Sequence, residues 1–162
     1  MRHAIAYDRD AARWPDDDQR PLTREGEDRF RRAARGLALV APRVERVLSS
    51  PAVRAWRTAE ILCEVVGWPP PTPLDELAEP YSGAGPLEAL EPHAEVRSLA
   101  LVGHEPYLSQ LAAHLLTGAE EAPSLFEMKK GSCAYLGFGQ AEAGEGVLHW
   151  LLPPKVLRAL HD

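Results

Sequence analysis

Three short stretches carry the residue types from which a phosphoryl-transfer site is built. Arg2-His3 opens the chain, Arg54 closes Ser50-Pro51-Ala52-Val53-Arg54, and His104 follows Gly103. A neutral imidazole nitrogen attacks phosphorus readily. Guanidinium groups grip the equatorial oxygens through paired N–H donors and neutralise developing charge, the task a metal ion performs in other phosphatases. A second imidazole hydrogen-bonds the group in transfer. Taken singly, a histidine near a strand end is usually structural, and an arginine on a first helical turn is usually a surface residue. The joint placement is what points to transfer through a phosphohistidine.

That placement follows from the elements around the three stretches. Thr23 reads as the cap of a helix whose apolar positions Phe30, Ala33, Ala34, Leu37 and Ala38 recur at helical spacing up to Pro42. Val44 to Leu48 reads as a strand. Ser50 as N-cap and Pro51 at the first helical position predict a helix start, and Gly67 its stop. Residues 68–86 are rich in Pro and Gly and predict a long irregular excursion. Leu87 to Leu90 reads as a short helical piece. Ser98 to Val102 is a continuous apolar run of the kind buried on both faces. A helix from Tyr107 to Leu116, stopped by Gly118, follows it. Ser132–Phe138 and Val147–Leu152 read as a strand pair. Strand–helix alternation predicts an α/β three-layer sandwich with a mostly parallel central sheet, residues 1–162 forming one domain. Ligands of such sheets sit at the carboxyl ends of the strands. The chain start, residues 49–54 and residues 103–106 are such ends and are expected to meet. The helix start after Ser50-Pro51 would add N–H groups aimed at an anion.

Composition excludes other classes. A net charge of −6 does not suit a general nucleic-acid binder, which needs a basic face. No apolar run is long enough to span a membrane, and the charged residues 8–20 do not suit a signal peptide. Most of the loop carboxylates Asp8, Asp10, Asp16, Asp17 and Asp18 read as a solvated face. Cys63 and Cys133, far apart and in no ligand spacing, read as buried free thiols of a cytoplasmic protein.

The same stretches match a known family. Arg2-His3-Ala4 resembles the Arg-His-Gly/Ala signature of the phosphoglycerate mutase-like histidine phosphatase superfamily. Ser50-Pro51-Ala52-Val53-Arg54, continued by Arg57-Thr58-Ala59, resembles its Ser-Pro-x-x-Arg element. Val102-Gly103-His104-Glu105-Pro106 resembles its second-histidine element. Arg20-Pro21-Leu22-Thr23-x-x-Gly26 is similar to a segment of the SixA-type branch, as is the short chain. The resemblance implies that His3 is the nucleophile, that Arg2, Arg54 and His104 bind the phosphoryl group, and that Arg20 reaches the same pocket. No metal or cofactor is implied.

Two departures accompany the match. The family has an apolar strand before Arg-His, whereas only Met1 precedes Arg2 here, so either the start lies a few residues late or the first strand is truncated. Leu77-Ala78-Glu79 has the form of the Leu-x-Glu acid signature, which makes Glu79, with Glu76 beside it, the candidate general acid, but the Trp-Glu-Gly context is missing. A phosphohistidine leaves as imidazole without much acid help, whereas an alkoxide needs it. The expected function is hydrolysis of protein phosphohistidine, such as a phosphotransfer domain of a signalling relay. The alternatives are a phosphatase of a small phosphorylated metabolite and a non-catalytic phosphate-binding module.

Overall fold

A computed structural model describes residues 1–78, 85–120, 125–139 and 142–161. In chain order the elements are α1 (Arg24–Val40), β1 (Arg46–Ser49), α2 (Val53–Val66), β2 (Pro71–Pro73), α3 (Gly85–Glu88), β3 (Leu99–Val102), α4 (Tyr107–Thr117), β4 (Cys133–Gly137), β5 (Val147–Leu152) and α5 (Pro154–Ala159). The central layer is a parallel sheet in the order β2-β1-β3. Successive side chains of a strand point to opposite faces, so each inner strand feeds two cores. Val47, Ala100 and Val102 pack with Phe30, Leu37, Ile61 and Leu62 of α1 and α2. Leu48 packs with Tyr107, Leu108 and Leu111 of α4, with Leu99 and Leu101 partly buried against them. Helices therefore cover both faces, as the three-layer reading requires. Truncating Leu37 or Leu62 to Ala would cost about 2–5 kcal/mol.

The Thr23 cap forms as expected, with Oγ1 accepting from the Gly26 N–H at 2.9 Å. Gly26 is required there, because a Cβ would stand 2.1 Å from the Ile5 carbonyl oxygen. The buried stripe of α1 takes Phe30, Ala33, Ala34, Gly36 and Leu37, whereas Ala38 is exposed. Gly36 replaces it at the helix contact, where a Cβ would meet the Leu157 carbonyl of α5 at 1.7 Å. Two expectations need correction. The cap of α2 is Ala52, not Ser50, and the helix opens at Val53 without a side-chain cap. Within the irregular 68–86 stretch, Pro71–Pro73 pairs with β1 as a short strand. Its prolines cannot donate, which is tolerated because β2 lies at the sheet edge.

The chain start takes the place of the expected first strand. The Met1 ammonium donates to the Leu101 carbonyl at 2.7 Å, Gly103 N to Met1 O at 3.1 Å and His3 N to Gly103 O at 3.0 Å. On the other side Arg2 N donates to Ser132 O at 3.1 Å and Gly131 N to His3 O at 2.9 Å. Residues 1–3 thus lie between the end of β3 and the segment leading into β4, and the backbone groups of this strip are paired. β4 and β5 form a separate antiparallel pair with an irregularity between Tyr135 and Leu136. Cys133 is buried and Cys63 half-buried, both free.

Candidate active site

The three strand ends meet. The His3 and His104 rings lie with centroids 5.0 Å apart at 56°. His3 is buried, and its Nδ1 lies 2.7 Å from the carbonyl oxygen of Ala4. A carbonyl can only accept, so Nδ1 carries the proton and Nε2 keeps its lone pair. Ala4 is itself held: its N–H donates to Thr58 Oγ1 at 3.0 Å, and Thr58 Oγ1 donates to the Arg54 carbonyl at 2.7 Å. One turn of α2 thereby holds the residue whose carbonyl orients the ring.

Both imidazoles are held neutral. Burial, then His104, Arg54 and Arg2, push His3 down to about 3 from an ordinary 6.5. Burial, then the arginines, push His104 down to about 4. His104 Nε2 lies 2.9 Å from Ser50 Oγ, which also accepts from the Ala52 N–H at 3.3 Å. Ser50 therefore turns its side chain to the second histidine and to the turn before α2, which explains why it does not cap the helix.

The two arginines present a shared feature. Arg2 Nη1 donates to the Met128 carbonyl at 2.7 Å, and Arg54 Nη1 to the Asp17 carbonyl at 2.7 Å. In each, Nε is buried and has no hydrogen-bond partner among the described residues. Buried donors of a charged group are costly to leave unmet, so a pair of them beside a neutral imidazole suits an anion with several oxygens. Met128 is held in turn by its N–H donating to Glu105 Oε1 at 3.2 Å; Glu105 Oε2 accepts from Ser109 Oγ.

Arg20 is buried and close to the cluster. Its Nε and Nη2 donate to the two carboxylate oxygens of Asp17 at 2.8 and 3.1 Å, and its Nη1 to the Tyr7 carbonyl at 2.6 Å. Asp17 Oδ2 lies 3.3 Å from Arg54 Nη2. The loop that carries them is closed at its base by an Ala6–Leu22 bridge, and Arg13 stacks over Tyr7 and Trp14 at 4.5 and 5.0 Å from their ring centroids. Glu76 is exposed on a turn, and Glu79 lies outside the described residues. No group of three or more His, Cys, Asp or Glu among the described residues is arranged to hold a metal ion, and no helix among them is long and apolar enough to cross a membrane.

Sequence reasoning missed Asp17, Thr58, Ser50 and Met128 as parts of the site. Asp17 had one available signal, its position three residues before an arginine of the SixA-like segment. Met128 had none, since it contributes a backbone carbonyl.

Residues 1–88 match the family model of the histidine phosphatase superfamily, branch 1. The phosphohistidine phosphatase SixA of Escherichia coli K12 is 32% identical over 158 residues, covering 95% of this chain and 91% of its own. The solved structure of the protein histidine phosphatase SixA complexed with tungstate superposes with a TM-score of 0.79 at 28% identity, over 97% of this chain and 96% of the other. The alpha-ribazole phosphatase of Shigella flexneri shares the fold, at a TM-score of 0.68 and 18% identity over 95% of both chains. The match of the family model, the extent of the E. coli relative and the agreement of fold converge: the chain belongs to branch 1 of the histidine phosphatase superfamily and is of SixA type.

Proposed function

We propose that this phosphatase hydrolyses phosphohistidine on a protein, such as a phosphotransfer domain of a signalling relay, through a phosphorylated His3. The observation that carries the reading is the state of His3: Nδ1–H is committed to the Ala4 carbonyl, so Nε2 faces the chemistry with its lone pair, beside two Arg Nε–H groups that have no partner among the described residues. In the first step His3 Nε2 bonds to phosphorus and the bond to the leaving group breaks. Arg2, Arg54 and His104 hold the oxygens as their charge grows. In the second step water attacks the phosphorus, inorganic phosphate departs and His3 regains its lone pair. A phosphohistidine protonated on its other nitrogen leaves as neutral imidazole, so the first step needs no strong acid from the enzyme. The E. coli relative, a phosphohistidine phosphatase by name, supports this substrate class. Two free cysteines fit a reducing compartment, and we place the enzyme in the cytoplasm.

The test compares kcat/KM on a phosphohistidine-bearing protein, a phosphosugar and p-nitrophenyl phosphate. The expected order puts the phosphohistidine protein first. A clear preference for the phosphosugar would make the enzyme a small-metabolite phosphatase, and no turnover with retained phosphate binding would make it a binding module.

A further inference from the structure

The loop carboxylate Asp17 sits between two buried arginines. Arg20 clamps it with two N–H groups on its two oxygens, the planar fork-to-fork geometry of a strong charge-assisted pair. On its other side Asp17 meets Arg54 twice, through its carbonyl at 2.7 Å to Nη1 and through Oδ2 at 3.3 Å to Nη2. Two contacts on the outer nitrogens fix the plane of the Arg54 guanidinium and leave Nε, the one with no partner among the described residues, turned away from them. Three of the N–H groups of Arg20 are already spent on Asp17 and Tyr7.

We propose that Asp17, locked by Arg20, is a positioning residue that sets the plane of Arg54 for the phosphoryl group, and that Arg20 acts through Asp17 and not on the phosphate. The proposal rests on the phosphatase reading above. Its physical content is a separation of orientation from charge. Asp17 brings a negative charge close to an anion site, which weakens ground-state phosphate binding. It also preorganises a donor, which matters most where charge develops in the transition state. An amide at this position gives up the two-oxygen grip of Arg20 and the Oδ2 contact with Arg54, and with them the orientation, so Asp17→Asn should lower kcat without weakening phosphate binding.

The test uses Asp17→Asn, Arg20→Ala and the double variant, with p-nitrophenyl phosphate as substrate and inorganic phosphate as competitive ligand. Asp17→Asn should lose about 10- to 100-fold in kcat, while KM and the phosphate inhibition constant stay within about threefold. Arg20→Ala should behave alike, and the double variant should be no worse than the poorer single one, as for residues acting as a unit. Losses that multiply in the double variant, with a weaker phosphate constant in Arg20→Ala, would overturn the proposal and make Arg20 a direct phosphate ligand. So would a kcat within about twofold of wild type in Asp17→Asn. A second readout does not depend on turnover. The Arg54 Nε–H resonance of phosphate-saturated protein, assigned by its loss in Arg54→Lys, should be sharp in the wild type and broadened in Asp17→Asn and Arg20→Ala. An unchanged resonance overturns the positioning role. If the wild type itself fails to turn over, the phosphatase reading falls while the resonance still decides the role of Asp17. If Asp17→Asn does not fold, Arg20→Ala carries the same comparison.

Discussion

Arg2 comes to the site from the sheet and Arg54 from the first turn of a helix, and the two walls they belong to are built differently. On the sheet wall the backbone does the holding. Arg2 and His3 are paired on both sides, to Gly103 and to Gly131–Ser132, and the Arg2 side chain rests on the Met128 carbonyl. On the loop wall side chains share the holding: Arg54 rests on the backbone carbonyl and the carboxylate of Asp17, and that carboxylate is gripped by the Arg20 side chain. The sheet wall places the reacting imidazole with few dependencies on any one side chain. The loop wall depends on the carboxylate of Asp17, whose side chain is 37% exposed and lies 3.3 Å from Arg54 Nη2, with Asp18 farther off at 3.9 Å, so a charge change in the loop reaches Arg54. Substitutions should accordingly be all-or-none at the reacting group and graded along the loop wall.

The largest effect belongs to the sheet wall. His3→Ala should remove turnover, a loss of about 10⁴-fold or more in kcat, with the Tm close to wild type. Residual turnover near the wild-type level would take the nucleophile role from His3. Next comes Arg54→Lys, which keeps the charge and loses the planar fork. It should lose roughly 10- to 1000-fold in kcat/KM. A near-neutral outcome would place Arg54 outside the working site and dissolve the contrast between the walls.

Thr58→Val sharpens the comparison where the walls touch. It leaves the Ala4 N–H buried without its acceptor, at a cost of about 1–3 kcal/mol in denaturant unfolding. An unchanged midpoint would show that α2 does not support the sheet wall.

Acid separates activity from stability. The folded pKa values of His3 and His104, about 3 and about 4, lie below the ordinary 6.5, so the unfolded chain binds more protons between those limits. Their contribution to stability is fully present above pH 6.5 and declines as pH falls toward 4 and 3. The Arg20 clamp holds the Asp17 carboxyl below its ordinary range, so that pair persists to more acid pH. His3 should stay unprotonated at pH 5, and single-turnover phosphoryl transfer should hold from pH 7 to 5 while the melting temperature falls. A rate that drops through pH 6.5 would mean an imidazole of ordinary basicity.

The smallest effects are expected from Glu79→Gln and from chelation. Glu79→Gln should be mild on every substrate; a large loss confined to alkyl phosphates would identify it as the general acid and move the substrate class toward metabolites. EDTA should leave activity unchanged, and loss restored by added metal would contradict the Arg-based mechanism.

The contrast between the walls also explains what could be read from the chain. Arg2-His3, Arg54 and His104 each stand where a strand hands over, so local pattern and sheet topology together brought them to one place. Asp17 is one of five acidic residues between positions 8 and 18, and only the folded loop distinguishes it, by bringing it to Arg54. Ser50 carried a valid capping signal that lost to a tertiary partner, His104. The strand Pro71–Pro73 was hidden because an edge position asks little of its own N–H groups. The pairing of residues 1–3 with Gly103 on one side and Gly131–Ser132 on the other was not legible, since backbone hydrogen bonds leave no side-chain pattern in so short a stretch.

The central claim is that His3 becomes phosphorylated. Wild-type protein mixed with a phosphohistidine-bearing protein and quenched within milliseconds should carry acid-labile, base-stable phosphate on the peptide that contains His3, appearing before free phosphate and absent from His3→Ala. Turnover of the substrate with no trapped phosphate on that peptide at any quench time, or an equal yield in His3→Ala, would contradict it.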